Sequence, residues 1–287
     1  MTLDIITFLA ILFLVAVAAG LLGALGGLGG GFLVMPVLLI FFNVPFVEAV
    51  GASAVSVLAT SITSGSSYVH DHLTDIRIGM FLEIATVPGA FVGIIATILL
   101  AKSGFNSLLL VLLGVVLLTT LPSTLKRLGE ELPTGQKPDD LSRRFRLRGS
   151  YFDARLQRTV SYQAEDTRRG LGTMFFAGII SGMFGIGSGV LKVLALEHYL
   201  RLPMKVATAT SNFMIGVTVA AGVSVLFAGG YINPALAAPV ALGTALGSWG
   251  GSHLLPKLTN RFVRLIFIPI LVVLAVEVIL RGVGVLH

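Results

Sequence analysis

The sequence predicts an all-α polytopic membrane protein of two homologous halves, arranged as inverted repeats, each opening with a glycine-broken, re-entrant-like helix. Three observations lead there. Hydrophobic residues make up 55% of the 287-residue chain, charged residues 12%, and mean hydropathy is +0.94, far from a soluble domain's composition. Two glycine runs, Gly26-Gly27-Leu28-Gly29-Gly30-Gly31 and Gly185-Ile186-Gly187-Ser188-Gly189, interrupt segments apolar enough to lie in lipid. The chain also repeats itself. Gly27–Gly31 aligns with Gly185–Gly189 at an offset of 158, which also pairs Leu33 with Leu191, Pro45 with Pro203, Ala49 with Ala207, Ser53 with Ser211 and Thr60 with Thr218.

Apolar stretches run over about 5–42, 50–69, 78–101, 107–121, 171–200, 206–229, 234–256 and 262–285. The first has no basic leader or cleavage site and reads as retained structure rather than a signal peptide. The first and fifth hold the glycine breaks. A glycine run does not simply continue a helix in lipid, and non-helical backbone survives at that depth only where protein or a polar cavity satisfies it. Folding each broken segment back as a hairpin of two unequal arms places Arg77, Arg201, Lys205, Lys257, Arg261 and Arg264 on the cytoplasmic side with the middle loop. Mainly Lys102 and Arg281 then lie outside, as the positive-inside rule asks. Residues 1–121 form the first repeat and 171–287 the second, with both termini outside. The GxxxG pairs Gly89/Gly93 and Gly243/Gly247 suit packing within the chain or a homo-oligomer, and Trp249 reads as a packing residue.

Residues 122–170 are the soluble piece, and eleven of the twenty Lys and Arg residues fall between Lys126 and Arg169. Beside membrane segments, such a basic stretch marks the cytoplasmic face and anionic lipid headgroups. No nucleic-acid recognition motif accompanies it. Alternation in Phe145-Arg146-Leu147-Arg148 and Thr159-Val160-Ser161-Tyr162 predicts a short β-hairpin turning around Gly149-Ser150 or a little later. A linker resting on headgroups and a regulatory or partner-docking segment are both open readings.

Where a half-helix begins inside a membrane, its first N–H groups are unpaired and its dipole presents partial positive charge, so an anion can satisfy them. Gly29, Gly30 and Gly31, with Gly187, Ser188 and Gly189, are therefore the first binding candidates; close helix packing is the alternative. Lys192 is the only basic residue deep in an apolar segment, and its counterpart in the first half is Val34. It sits in the first turn after Gly189, from which a helical side chain leans back toward the loop. There it offsets an anion's charge, or it pairs structurally with Glu83 or Glu197. Ser53, Ser56, Thr60, Thr63 and Ser67 share one helical face, echoed by Thr208, Thr210, Ser211, Asn212 and Thr218. Of these, the recurring pairs Ser53/Ser211 and Thr60/Thr218 are the preferred candidates to line a polar cavity, with Asn212 beside them as a further hydrogen-bonding candidate, against simple helix packing. Glu83 is the candidate for proton coupling, and Glu277 is placed to pair with Arg281 one turn on. The chain has no cysteine and no metal-ligand pattern beyond His70-Asp71-His72, so neither metal nor cofactor is expected.

The order and repetition of these motifs resemble the sulfite exporter TauE/SafE family. The residues concerned are Gly-Gly-Gly-Phe-Leu-Val-Met-Pro at 29–36, Asn-Val-Pro at 43–45 and Ala59-Thr60-Ser61 in the first half. The second half has Gly185–Gly189, Leu202-Pro203 and Ala-Thr-Ala-Thr-Ser-Asn at 207–212. The resemblance covers both membrane halves but not 122–170. Ser188 departs from it by replacing a glycine, and the basic insert is longer than a bare linker needs. It implies a bacterial inner-membrane permease, an exporter of small sulfur-containing or carboxylate anions such as sulfite and sulfonates. The small anion is then bound at the glycine loops near the midplane, and movement of the halves alternates access. With no nucleotide motif, a gradient of protons supplies the energy. An anion channel would use the same chemistry along a continuous path. A membrane enzyme would need a nucleophile–base pair or metal cluster, which the apolar segments lack.

Overall fold

The computed structural model describes residues 5–26, 29–126, 137–153, 157–254 and 260–284. Gly27, Leu28, Lys257 and residues 127–136 lie outside these, as do the side chains of Arg261 and Arg264. The first half holds α1 (Ile5–Gly26), α2 (Gly31–Ile40), α3 (Phe46–His70), α4 (Ile76–Lys102) and α5 (Asn106–Lys126). The short helix α6 (Asp140–Arg144) and strands β1 (Arg148–Asp153) and β2 (Arg158–Gln163) follow. The second half holds α7 (Thr167–Phe184), α8 (Gly189–Leu194) running into a π-helical turn (Ala195–Tyr199), α9 (Met204–Ala228), α10 (Pro234–Leu254) and α11 (Asn260–Gly282). Among the described residues, α1, α3, α4 and α9 contain spans long and apolar enough to cross a membrane. The chain is thus a mostly helical protein with the apolar helices of a polytopic membrane protein.

Local chemistry sets several of these ends. Pro45 and Pro203 precede α3 and α9 with closely matching backbone angles, and these two helices begin and end at positions 158 apart. Asp75 caps α4 by accepting from the Ile78 N–H at 3.0 Å. Gly185 closes α7 in the left-handed region at φ 63°, where a side chain is strained. At 10 residues, α2 is about 15 Å long, half the thickness of a hydrocarbon core.

Packing follows the same offset. α1 lies against α10 as α7 lies against α4, while α3 crosses α9 and α5 pairs with α11. Absent side chains allow these approaches. A Cβ at Gly178 of α7 would collide with the Thr86 carbonyl oxygen of α4, and one at Gly20 of α1 with the Thr244 carbonyl oxygen of α10. Gly89 and Gly93 abut α7, and Gly243 and Gly247 abut α1, so both GxxxG pairs are occupied within the chain. Trp249 corrects its sequence reading: α10 turns its small residues to α1 and leaves Trp249 on the outer face, 61% exposed and 5.0 Å from the His253 ring. Glu277 and Arg281 pair at 3.9 Å.

The two strands pair antiparallel from Arg148↔Gln163 to Asp153↔Arg158. Gly149 and Ser150 therefore lie inside β1, paired with Tyr162 and Ser161, rather than at the turn. This register turns Tyr151, Asp153 and Tyr162 inward, where the two tyrosines join Leu147 and Ala164 against Leu73, Ile78, Leu200, Leu202 and Val206. The hairpin is consequently packed onto the ends of α3, α4 and α9. Lys205 reaches Asp153 at 3.2 Å, Arg201 reaches Glu165 at 3.4 Å, and Arg77 donates to the Arg146 carbonyl at 3.4 Å. Arg77, Arg201 and Lys205 thus gather at one end of the bundle with the basic segment.

Candidate functional site

Between α2 and α8, the two glycine loops meet at the crossing of α3 and α9. Gly29 and Gly187 have φ of 75° and 73°, and each faces both Val57 of α3 and Ile215 of α9. Val57 and Ile215 are themselves 158 positions apart, so the centre of the molecule repeats its own geometry. Any side chain at Gly187 would fall 2.8 Å from both. Ser53 of α3 stands 3.1 Å from the Gly31 carbonyl and 2.9 Å from that of Gly185, joining the two loops with one hydroxyl proton. Its counterpart Ser211 lies 3.4 Å from the Gly189 carbonyl. The Thr60 hydroxyl donates to the Ser56 carbonyl at 3.0 Å and stands beside Gly30.

The charged residues come together at one of the two places that the offset relates, where α8 and α9 of the second half meet α4 of the first. Lys192 of α8, fully buried, donates to Glu83 Oε1 of α4 at 3.3 Å and to the Thr218 hydroxyl of α9. Thr218 Oγ1 lies 2.8 Å from both Glu83 oxygens and 2.9 Å from the Met214 carbonyl. Of the partners the sequence left open for Lys192, the observed one is Glu83. The positions that the offset relates to Lys192, Glu83 and Thr218 hold Val34, Ala241 and Thr60. An ammonium and a carboxylate withdrawn from water persist only in each other's company, and Thr218 completes the hydrogen bonding.

Ser188 sits in the left-handed region at φ 47° and its buried hydroxyl has no hydrogen-bond partner. Asn212 lies apart from the loops' centre. Its side-chain amide donates to the Ala24 and Thr208 carbonyls, both at 3.3 Å, and its backbone carbonyl accepts from the Ser61 hydroxyl. With Tyr68, which donates to Ala24 at 3.1 Å, it satisfies a carbonyl near the end of α1. Thr218, a cavity candidate through its correspondence with Thr60, is hydrogen-bonded to both members of the ion pair. Val57 and Ile215 passed unnoticed, although the offset pairs them. Among the described residues, no group of three or more His, Asp or Glu side chains is arranged to hold a metal ion.

The family described as "Sulfite exporter TauE/SafE" matches residues 12–278, which span both loops and the whole ion-paired cluster. The chain belongs to the TauE/SafE family. It is accordingly a membrane transporter and not an enzyme. It is also similar to the "Probable membrane transporter protein YunE" of Bacillus subtilis (strain 168), with 27% identity over 280 residues covering 95% of this chain and 98% of the relative. No solved structure matches. Within this TauE/SafE protein, all the candidate binding residues fall inside the matched span.

Proposed function

We propose that the protein carries small anions, sulfite and sulfonates among them, out across the bacterial inner membrane by alternating access, with residues 122–170 on the cytoplasmic side. The observation that carries the reading is the Lys192–Glu83–Thr218 cluster, buried beside the two glycine loops. Intramembrane ionisable groups are costly and serve function by default. Protonation of Glu83 removes the counterion of Lys192, whose ammonium then accepts an anion. Gly29, Gly30, Gly31, Gly187, Ser188 and Gly189 offer backbone and hydroxyl groups to it, and Ser53, Thr60, Ser211 and Asn212 hold the supporting backbone. Net export follows when the anion has accumulated inside. The two halves act as inverted repeats opening with glycine-broken helices. In support stand the constant offset, the mirrored packing and the matched φ values of Gly29 and Gly187. Val57 and Ile215 fill the space between the loops, which fits a gated carrier better than an open channel.

Binding of an anion panel (sulfite, ethanesulfonate, acetate, chloride) to the purified protein, read as thermal stabilisation, tests this directly. One of the first three should raise the melting temperature more strongly as pH falls, because Glu83 must take a proton. The response should vanish in Lys192→Ala and lose its pH dependence in Glu83→Gln. Stabilisation by none of them, or retained in full by Lys192→Ala, overturns the reading.

A further inference from the structure

The Lys192–Glu83 pair is sealed unequally on its two sides. Toward the hairpin, Ile78, Leu82, Leu196 and Met214 are all fully buried in one apolar cluster. On the opposite side a cavity of about 10 Å³ lies among α3, α4, α7 and α9. Small residues such as Ala90, Gly182 and Gly222 bound it, and Ser181 and Thr218 are its polar side chains. Gly222 and Leu226 follow Thr218 by about one and two turns of α9. Both line the cavity, so it extends from Thr218 toward the helix end remote from the hairpin. Ser181 is 3% exposed and its hydroxyl has no hydrogen-bond partner. A buried hydroxyl left unpaired costs about 1–3 kcal/mol, and a cavity of this size accepts one water. Water between Ser181 and Thr218 would satisfy the hydroxyl and stand one residue from both Glu83 oxygens.

We propose that this small-residue crevice is the water route by which Glu83 exchanges protons with the face opposite the hairpin, with Ser181 as the residue that positions the water. The proposal rests on the proton role given to Glu83 above and adds the path and the side from which the proton comes. A proton arriving as hydronium forms an O–H bond at a Glu83 carboxylate oxygen and leaves neutral water behind; Lys192 keeps its charge. Lys192 is the charged group facing Glu83. Beyond their first turns, α7 and α9, which pack on α4, carry no Asp, Glu, Lys, Arg or His. Glu48 and His70 lie in the end turns of α3, away from the cavity. Gly222 keeps the route open without being required by the backbone. A Cβ there would meet only the flexible tip of Ile94, at 3.0 Å.

Two measurements decide it, and neither needs a transported substrate. In the first, infrared spectra of protein in lipid films follow the carboxyl C=O band that Glu83→Gln removes, after a sudden fall in pH. Gly222→Leu should slow its appearance by about ten-fold or more, because a filled crevice holds no water; Ser181→Ala should slow it less, and Gly222→Ala least. An unchanged rate in Gly222→Leu overturns the route. If no band depends on Glu83 at any pH, the proton role itself fails and the proposal with it. In the second, Ser181→Cys is made in this naturally cysteine-free protein, and mercuric ion is added to one face of sealed proteoliposomes. Adduct formation from the face opposite the hairpin, blocked by Gly222→Leu, supports the path. Labelling from the hairpin face, or none from either, overturns it. Monodispersity on size exclusion confirms that each variant is folded.

Discussion

Lys192 and Glu83 show why a buried ion pair is best probed by breaking it and by replacing it whole. Removing one partner leaves the other charge bare in an apolar surround, at a cost of about 3–5 kcal/mol, whereas exchanging both for apolar residues of similar volume is close to neutral. Chemical unfolding should therefore show Glu83→Leu or Lys192→Met strongly destabilised and the double variant near wild type. Nearly neutral single variants would mean that water reaches the pair. Glycines divide in the same residue-by-residue way. At Gly31 a methyl group would collide with Val57 and stand 2.6 Å from the Ser53 hydroxyl, so Gly31→Ala should lower the melting temperature markedly, while Gly222→Ala should change it little. The sequence marked Lys192 and Glu83 as unusual because each is a charge in an apolar run. It could not choose between Glu83 and Glu197 for Lys192, since 109 residues of separation say nothing about distance. Ser181 was illegible for a related reason. A hydroxyl in a membrane helix ordinarily bonds its own backbone, and only the surroundings reveal that this one does not.

At the scale of elements, the hairpin was half legible. Alternation announced its strands, but not the position of its turn or its docking onto the helix ends. Those depend on Tyr162, which donates to Asp75 Oδ2 at 3.1 Å while Asp75 also caps α4 and donates from its own N–H to the Thr210 hydroxyl at 3.0 Å. Burial first, then the Asp75 charge, pushes the Tyr162 phenol well above its ordinary value. The folded state thus favours the neutral phenol. Its contribution is complete below the ordinary pKa of about 10 and declines as pH rises through that value. Hydrogen exchange of β1 and β2 should accelerate above this pH in wild type. Tyr162→Phe should exchange somewhat faster at neutral pH, with a much weaker alkaline rise. Equal alkaline acceleration in both proteins would place the sensitive group elsewhere.

Across the whole molecule, helices related by the offset of 158 pack alike, α1 on α10 as α7 on α4. What the offset did not foretell is that the first helix of each half packs on the fourth helix of the other, because pairing between repeats is a property of surfaces. Gly93 and Gly247 lie at these two seams, each against a backbone carbonyl of the opposing helix. Gly93→Leu and Gly247→Leu should each sharply reduce the yield of folded protein in detergent, whereas a leucine at the half-buried Gly250, whose Cβ nothing would meet, should not. Against this near-equality of backbone, the ion pair stands at one of the two places that the offset relates. Two inverted copies with the same sequence would hold their two alternate arrangements at the same free energy, like a balance with empty pans. Lys192 and Glu83, without equivalents at Val34 and Ala241, weight one pan. Under the proposed alternating access, the empty carrier would have a preferred posture, and discharging the pair would let it tip.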